Sequence, residues 1–186
     1  MGIRVSIFVG FLAVLVSLSI GVLLGWISGY FGAKVDLFIM YLINVTWSLP
    51  TLLLVFAVVM LWGRGLSTIF FAVGLTMWVD VARIVRGQNF KIREEQYIKA
   101  IQSLGQHWFR ILTKHILPNL IGPILVIAAA NFATAILIEA GLSFLGFGIK
   151  PPAPSLGNIL NEHYGYAMAG KYGLAFVPAF FIMLLV

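Results

Sequence analysis

The chain has 186 residues, of which 61% are apolar or aromatic and only 10% are charged, with 19 glycines, no cysteine and a net charge of +6. Soluble domains carry about 25% charged residues, so there is too little polar surface here to dress a water-soluble globule. The missing cysteines exclude disulfide frameworks, thiolate zinc sites and cysteine nucleophiles. This is the composition of a membrane protein, whose charges report orientation rather than nucleic-acid binding.

Five spans are predicted. No charge occurs between Arg4 and Lys34, so a first span fits at about 5–28. Its apolar run is longer than the core of a signal peptide, and no A-x-A-like cleavage site follows. Within it Ser17, Gly21, Gly25 and Gly29 recur every fourth residue. That stripe of small residues lets another helix approach closely. A second span is set near 37–62, with Pro50 in its middle, and a third at 66–85, with Asp80 and Arg83 near its end. The fourth is expected at about 119–141 and the fifth at 172–186. Kinks are expected at Pro50 and Pro123. The final segment would rise only ~22 Å against a hydrocarbon layer of ~30 Å, so the chain reads as cut short at its C-terminus.

Alternating spans divide the cations unevenly. Lys34, Arg83, Arg86, Lys91, Arg93, Lys99, Arg110 and Lys114 fall on one side, and Arg4, Arg64, Lys150 and Lys171 on the other. By the positive-inside bias the first set is cytoplasmic. The loop 87–117 is then internal, while the N-terminus and the loop 142–171 are external.

In the inner loop, Tyr97, Ile101, Leu104, Trp108 and Ile111 form one apolar stripe at helical spacing, with Lys99, Gln102, Gln106 and Arg110 opposite. Gly105 costs roughly 1 kcal/mol relative to Ala inside a helix, so two short helices joined at a bend are predicted. Such an element either lies in the headgroup layer or docks into a groove of a soluble partner. In the outer loop Pro151, Pro152 and Pro154 stiffen the chain, and a short helix over 156–164 should start with Ser155 as its N-cap. That loop either lies at the outer mouth, against the membrane surface or an external protein, or is a purely structural plug.

The stretch YIKAIQSLGQHWFRILTKHILPN (97–119) resembles the cytoplasmic loop of bacterial ABC importer permeases. Ala100, Gly105 and Leu117–Pro118 match that family's pattern, while Lys99 stands where Glu is usual and Ile101 where a second Ala is usual. GVLLGWISGYFG (21–32), LPTLLL (49–54) and the Trp78, Ala82, Arg83, Arg86 pattern are similar to the peptide/nickel branch. EAGLSFLGFGIKPPAPSLGNIL (139–160) is similar to the second permease subunit of dipeptide and oligopeptide importers. The resemblance implies an all-α polytopic bundle in the cytoplasmic (inner) membrane with five of six family spans, the chain being truncated at both ends. It also implies a second permease subunit in a hetero- or homodimer, two cytoplasmic ATP-binding subunits and an external solute-binding protein. Ala100, Ile101, Ser103, Leu104, Gly105, Trp108 and Phe109 would then form the helix that couples to an ATPase.

No G-x-x-x-x-G-K-[ST] phosphate loop occurs, so ATP hydrolysis is assigned to partner subunits, and no cofactor or metal is expected. The intramembrane charges are the remaining site candidates. Asp80 and Arg83, three residues apart, either pair structurally or act in a gate. Glu139, about one turn from the outer interface, either reaches water or contributes to the solute path. Two other classes of function stay open. An ion-coupled carrier would need inverted repeats and a midplane ion site, and neither is visible. A membrane scaffold would use 97–117 only to recruit a partner.

Overall fold

The computed structural model describes residues 2–149 and 154–186, so Lys150, Pro151 and Pro152 lie outside the described residues. Among those residues the chain is helical throughout, without strands, as lipid requires of a backbone that must satisfy its own hydrogen bonds.

Helix α1 (Gly2–Phe31) ends at Gly32, whose φ of +61° is open to glycine and costly for other residues. Helix α2 (Ala33–Trp47) stops where the Ser48 N–H closes on the Asn44 carbonyl at 2.9 Å, and α3 (Thr51–Trp62) starts after Pro50. The second apolar run is therefore two helices, because Pro50 has no N–H with which to continue the ladder. Helix α4 (Leu66–Arg93) follows. Then come α5 (Gln96–Ser103), α6 (Trp108–Ile111), a π-helical turn (Leu112–Ile116) and α7 (Leu117–Phe144). Two further helices are α8 (Leu156–Met168) and α9 (Tyr172–Leu185).

Two boundaries differ from the sequence expectation. The third helix does not stop near residue 85 but runs to Arg93, and the fourth is continuous in hydrogen bonding from Trp108. Hydropathy marks where lipid ends, whereas a helix ends where its backbone finds a breaker, and 86–93 contains no proline. Pro118 cannot donate to the Lys114 carbonyl. The π turn just before it widens the backbone there, and the Asn119 side-chain amide donates to the His115 carbonyl at 2.6 Å. Helix α7 also continues through Pro123.

Three helices are long and apolar enough to cross a bilayer, Gly2–Phe31, Leu66–Arg93 and Trp108–Phe144, and a fourth span results if α2 and α3 count as one. Helix α9, at 14 residues, is shorter than that requirement.

The chain folds as two compact units. The first comprises 1–16, 49–77 and 130–186. Its core joins Val9 and Ala13 of α1 to Val55 and Val59 of α3, Ile69 and Val73 of α4, and Ala135 and Leu142 of α7. Gly74 allows α4 to lie directly on α1, since a Cβ there would stand 2.6 Å from that of Val16. The second unit comprises 17–48 and 78–129. In it Val81 and Val85 meet Ile98, Ile111, Leu112, Ile116 and Leu120, while Ile39 and Ile43 of α2 meet Trp78, Val79 and Ala82.

Candidate functional site

In the second unit, α5 and α6 form a hairpin with a buried base and an exposed tip. Ile98 is fully buried and Ile101 half-buried against Ile111, Leu112 and Ile116. Past α5 the chain turns at Gly105, where φ is +76° and no neighbour would meet an added side chain. Ala100, Ser103, Leu104, Gly105 and Phe109 are exposed, Leu104 to 85%. The apolar residues therefore do not form the single stripe read from spacing. The turn rotates Leu104 and Phe109 away from Ile98 and Ile111, and the isoleucines alone face the core.

Local bonds hold the hairpin's shape. His107 accepts from the Phe109 N–H through Nδ1 and so caps α6. The Trp108 ring leans on Phe31 at 5.5 Å and Tyr30 at 6.1 Å, at the end of α1. Lys99, which replaces the usual acid, reaches back to Glu94 at 2.7 Å. The Lys99 hydrogen bond and charge hold the Glu94 carboxyl below its ordinary range.

The base of the hairpin hangs from a polar lattice. Arg86 bonds Asp36 through Nε and Nη2, the latter at 2.7 Å, and the Ser28 hydroxyl donates to the same carboxylate. Asn89 donates to the Trp26 carbonyl at 2.9 Å, and Arg93 to the Tyr30 carbonyl at 2.7 Å. Along the same seam α1 presents Gly21, Gly25 and Gly29 to α4. A Cβ at Gly21 would lie 2.6 Å from the Trp78 carbonyl oxygen and one at Gly29 2.7 Å from the Asn89 Cβ, while at Gly25 it would run into the Ala82 carbonyl. Ser17 is buried at the head of this row. Asp36 and Asn89 escaped sequence reasoning because their partners stand 50 and 63 positions away.

Asp80 and Arg83 do not pair. Among the described residues the ion pairs are Arg86 with Asp36 and Lys99 with Glu94. The Arg83 guanidinium instead lies over the Trp47 ring, 3.9 Å from its centre. The Trp47 ring, not the carboxylate three residues before Arg83, takes the guanidinium.

In the first unit Glu139 is fully buried and does not reach water. Its carboxylate accepts from the Ser6 hydroxyl at 2.8 Å and the Ser143 hydroxyl at 2.7 Å. Those two donors replace the solvent contact expected from its position in the sequence. The Leu156 N–H also points at Ser6 Oγ, 3.4 Å away. Ser155 caps α8 by accepting from the Asn158 N–H at 3.2 Å, and Gly157 lies against the Ala140 carbonyl. Helix α8 is thus seated on α7 at its first turn.

Residues 21–186 match the family described as binding-protein-dependent transport system inner membrane component. The chain is 42% identical over 183 residues to the dipeptide transport system permease protein DppC of Bacillus subtilis, covering 98% of this chain and 57% of that protein. It is 41% identical over 161 residues to the oligopeptide transport system permease protein OppC of the same organism, covering 87% and 53%. The chain spans about half the length of the curated relatives it matches. Its fold is similar to that of a chain of the MetNI methionine ABC transporter in an inward-facing form, with a TM-score of 0.74 at 17% identity, covering 100% of this chain and 94% of that one. A chain of an amino acid ABC transporter aligns with a TM-score of 0.64 at 19% identity, covering 98% and 90%.

Proposed function

Because the chain belongs to the family of inner-membrane components of binding-protein-dependent transport systems, we propose that it is the permease subunit of an ATP-driven importer for peptides. The observation that carries this reading is the α5–α6 hairpin. At its tip Ala100, Ser103, Leu104, Gly105 and Phe109 are exposed, while its base is held by Ile98, Ile111, Leu112 and Ile116. A soluble ATPase that gripped Ser103, Leu104, Gly105 and Phe109 would apply force to a base bonded into α4 and continuous with the helix that becomes α7. Packed helices move as rigid levers rather than deforming. The excess of cations on the side of this hairpin supports a cytoplasmic hairpin and an external N-terminus.

Peptides are the solute class supported by the names of the dipeptide and oligopeptide relatives. A second permease subunit, two ATP-binding subunits and an external binding protein complete the proposed assembly. The glycine row of α1 serves as an internal helix contact, not as part of the path. Reconstitution tests the whole reading. Uptake of labelled peptide into proteoliposomes should require ATP, the ATPase subunits and the binding protein together. Uptake driven by a proton gradient without ATP would establish a secondary carrier instead, and a complete complex that moves no peptide would establish a scaffold.

A further inference from the structure

The hairpin's second helix, α6, has four residues whose side chains take different directions. Phe109 and Arg110 are exposed, and Ile111 is buried in the base. Trp108 leads elsewhere. Its ring stands 5.5 Å from that of Phe31 and 6.1 Å from that of Tyr30, the last two residues of α1. Rings at such separations attract each other beyond the area they bury. Trp108 is 40% exposed against 85% for Leu104, so much of its surface is already spent inside the chain. All of these residues belong to the unit of 17–48 and 78–129.

The end of α1 that receives Trp108 is firmly held. Arg93 donates to the Tyr30 carbonyl, one of the helix's terminal acceptors, at 2.7 Å, and its guanidinium lies 5.9 Å from the centre of the Tyr30 ring. The chain then turns through Gly32 at φ +61° and Ala33 at φ +43°. A left-handed backbone is costly for a residue with a Cβ, so its neighbours, not its own preference, keep Ala33 there. Ser28, before the corner, and Arg86 of α4 both bond the Asp36 carboxylate just after it. The Asp36 N–H donates to the Gly32 carbonyl at 3.0 Å. The corner is bonded across itself, so a push on Phe31 is passed to α1 and the start of α2 together. The base of the hairpin meets α4 separately, through Ile98, Val81 and Val85.

We propose that Trp108 is a positioning residue that carries the movement of the hairpin to α1, and that it is not part of the surface that docks the ATPase. The inference rests on the importer reading and divides its hairpin between two tasks. Leu104 and Phe109 hold the partner, and Trp108 passes the partner's motion to a spanning helix.

The test uses the complete transporter, with ATPase subunits and binding protein, in proteoliposomes. ATPase co-purification, ATP hydrolysis and uptake of labelled peptide are read on the same preparations. Trp108→Ala should keep its ATPase subunits and deliver about threefold or more less peptide per ATP hydrolysed, the weight of a lost two-ring contact. Trp108→Phe, which keeps a ring, should recover most of that ratio. Phe31→Ala, outside the hairpin, should lower the ratio as Trp108→Ala does, and the double variant should be no worse than the poorer single one. Leu104→Asp should instead lose the ATPase subunits. Should Trp108→Ala fail to insert, Phe31→Ala and Trp108→Phe decide the matter. Loss of the ATPase subunits from an inserted Trp108→Ala makes the ring a docking residue and overturns the proposal. An unchanged peptide-per-ATP ratio in Trp108→Ala or Phe31→Ala overturns it too, as do additive losses in the double variant. Wild-type uptake keeps the two readings apart. A wild type that imports peptide with ATP while these variants stay coupled rejects the role of Trp108 alone, whereas a wild type that imports none rejects the importer itself.

Discussion

Arg86 and Asp36, 50 positions apart, are joined through two guanidinium nitrogens, and the Ser28 hydroxyl completes the carboxylate's shell. The pair is largely shielded, with 24% and 15% of the two side chains exposed. It therefore ties α4 to the start of α2 far more firmly than a surface ion pair would. Asp36→Asn or Arg86→Gln should cost about 1–3 kcal/mol, the range for hydrogen bonds to charged groups. Thermal denaturation of the purified protein in detergent would read this as a lowered midpoint for each single variant. An unchanged midpoint would show that the pair is decorative.

The glycine row of α1 predicts a graded response to size. Gly25→Val drives two methyls toward the Ala82 backbone and should destabilise by about 1–3 kcal/mol, as overpacking does. Gly122 in α7 meets nothing within 4 Å, so Gly122→Ala should be neutral or stabilising by up to about 1 kcal/mol. Comparing the two melting points separates close helix approach from a general demand for glycine.

Leu104 is 85% exposed at the hairpin tip. Leu104→Asp should therefore leave the melting midpoint within the equivalent of about 0.5 kcal/mol. ATP-driven peptide uptake should nevertheless fall by about tenfold or more if this side chain is central to a partner contact. Gly105→Pro should act similarly, because proline cannot adopt the +76° φ found there. Full uptake by both variants would exclude the tip as the docking surface.

Glu139 accepts from two hydroxyls in a site closed to solvent. Glu139→Leu leaves Ser6 and Ser143 without their acceptor and should cost about 1–3 kcal/mol. Glu139→Gln retains one acceptor oxygen and should cost less. Limited proteolysis around α8 offers a second readout, since this helix is seated beside the node and should become easier to cleave in Glu139→Leu.

Glu94 is held below its ordinary carboxyl range by Lys99. A depressed folded-state value means the contact contributes above the unfolded pKa, about 4.3, and is lost as pH falls through the lower folded value. Glu94→Gln should thus lower the midpoint slightly at pH 7, where the contact is fully present, and the gap from the wild type should close as pH falls through the carboxyl range. A pH series of melting curves at low and high salt checks this, because screening should mimic the substitution.

Parts of the architecture were legible because their causes are local. The bend at Gly105 followed from one glycine amid helix formers, and the cap at Ser155 from a hydroxyl preceding a helical run. The interruption at Pro50 followed from a missing N–H. The helices reach Arg93 and start at Trp108, beyond the spans read at 66–85 and 119–141, because hydropathy sees lipid and not hydrogen bonding. The π turn before Pro118 carries no composition signal of its own. Around the hairpin, exposure could be read only roughly: Tyr97, Ile101, Leu104, Trp108 and Ile111 were placed on one stripe, whereas Leu104 is exposed and Ile111 buried.

Composition and period alone determined that this chain is a helical membrane protein, because backbone satisfaction in lipid leaves little choice once polar residues are scarce. They also determined which row of α1 could accept a close neighbour. Only the tertiary structure decided which charges are spent. Asp36 goes to Arg86, Glu139 to two serines and Arg83 to the face of Trp47, leaving Asp80 aside. Such choices depend on distances between segments tens of residues apart, and a burial cost that is repaid only by a correctly placed partner does not show in the order of residues.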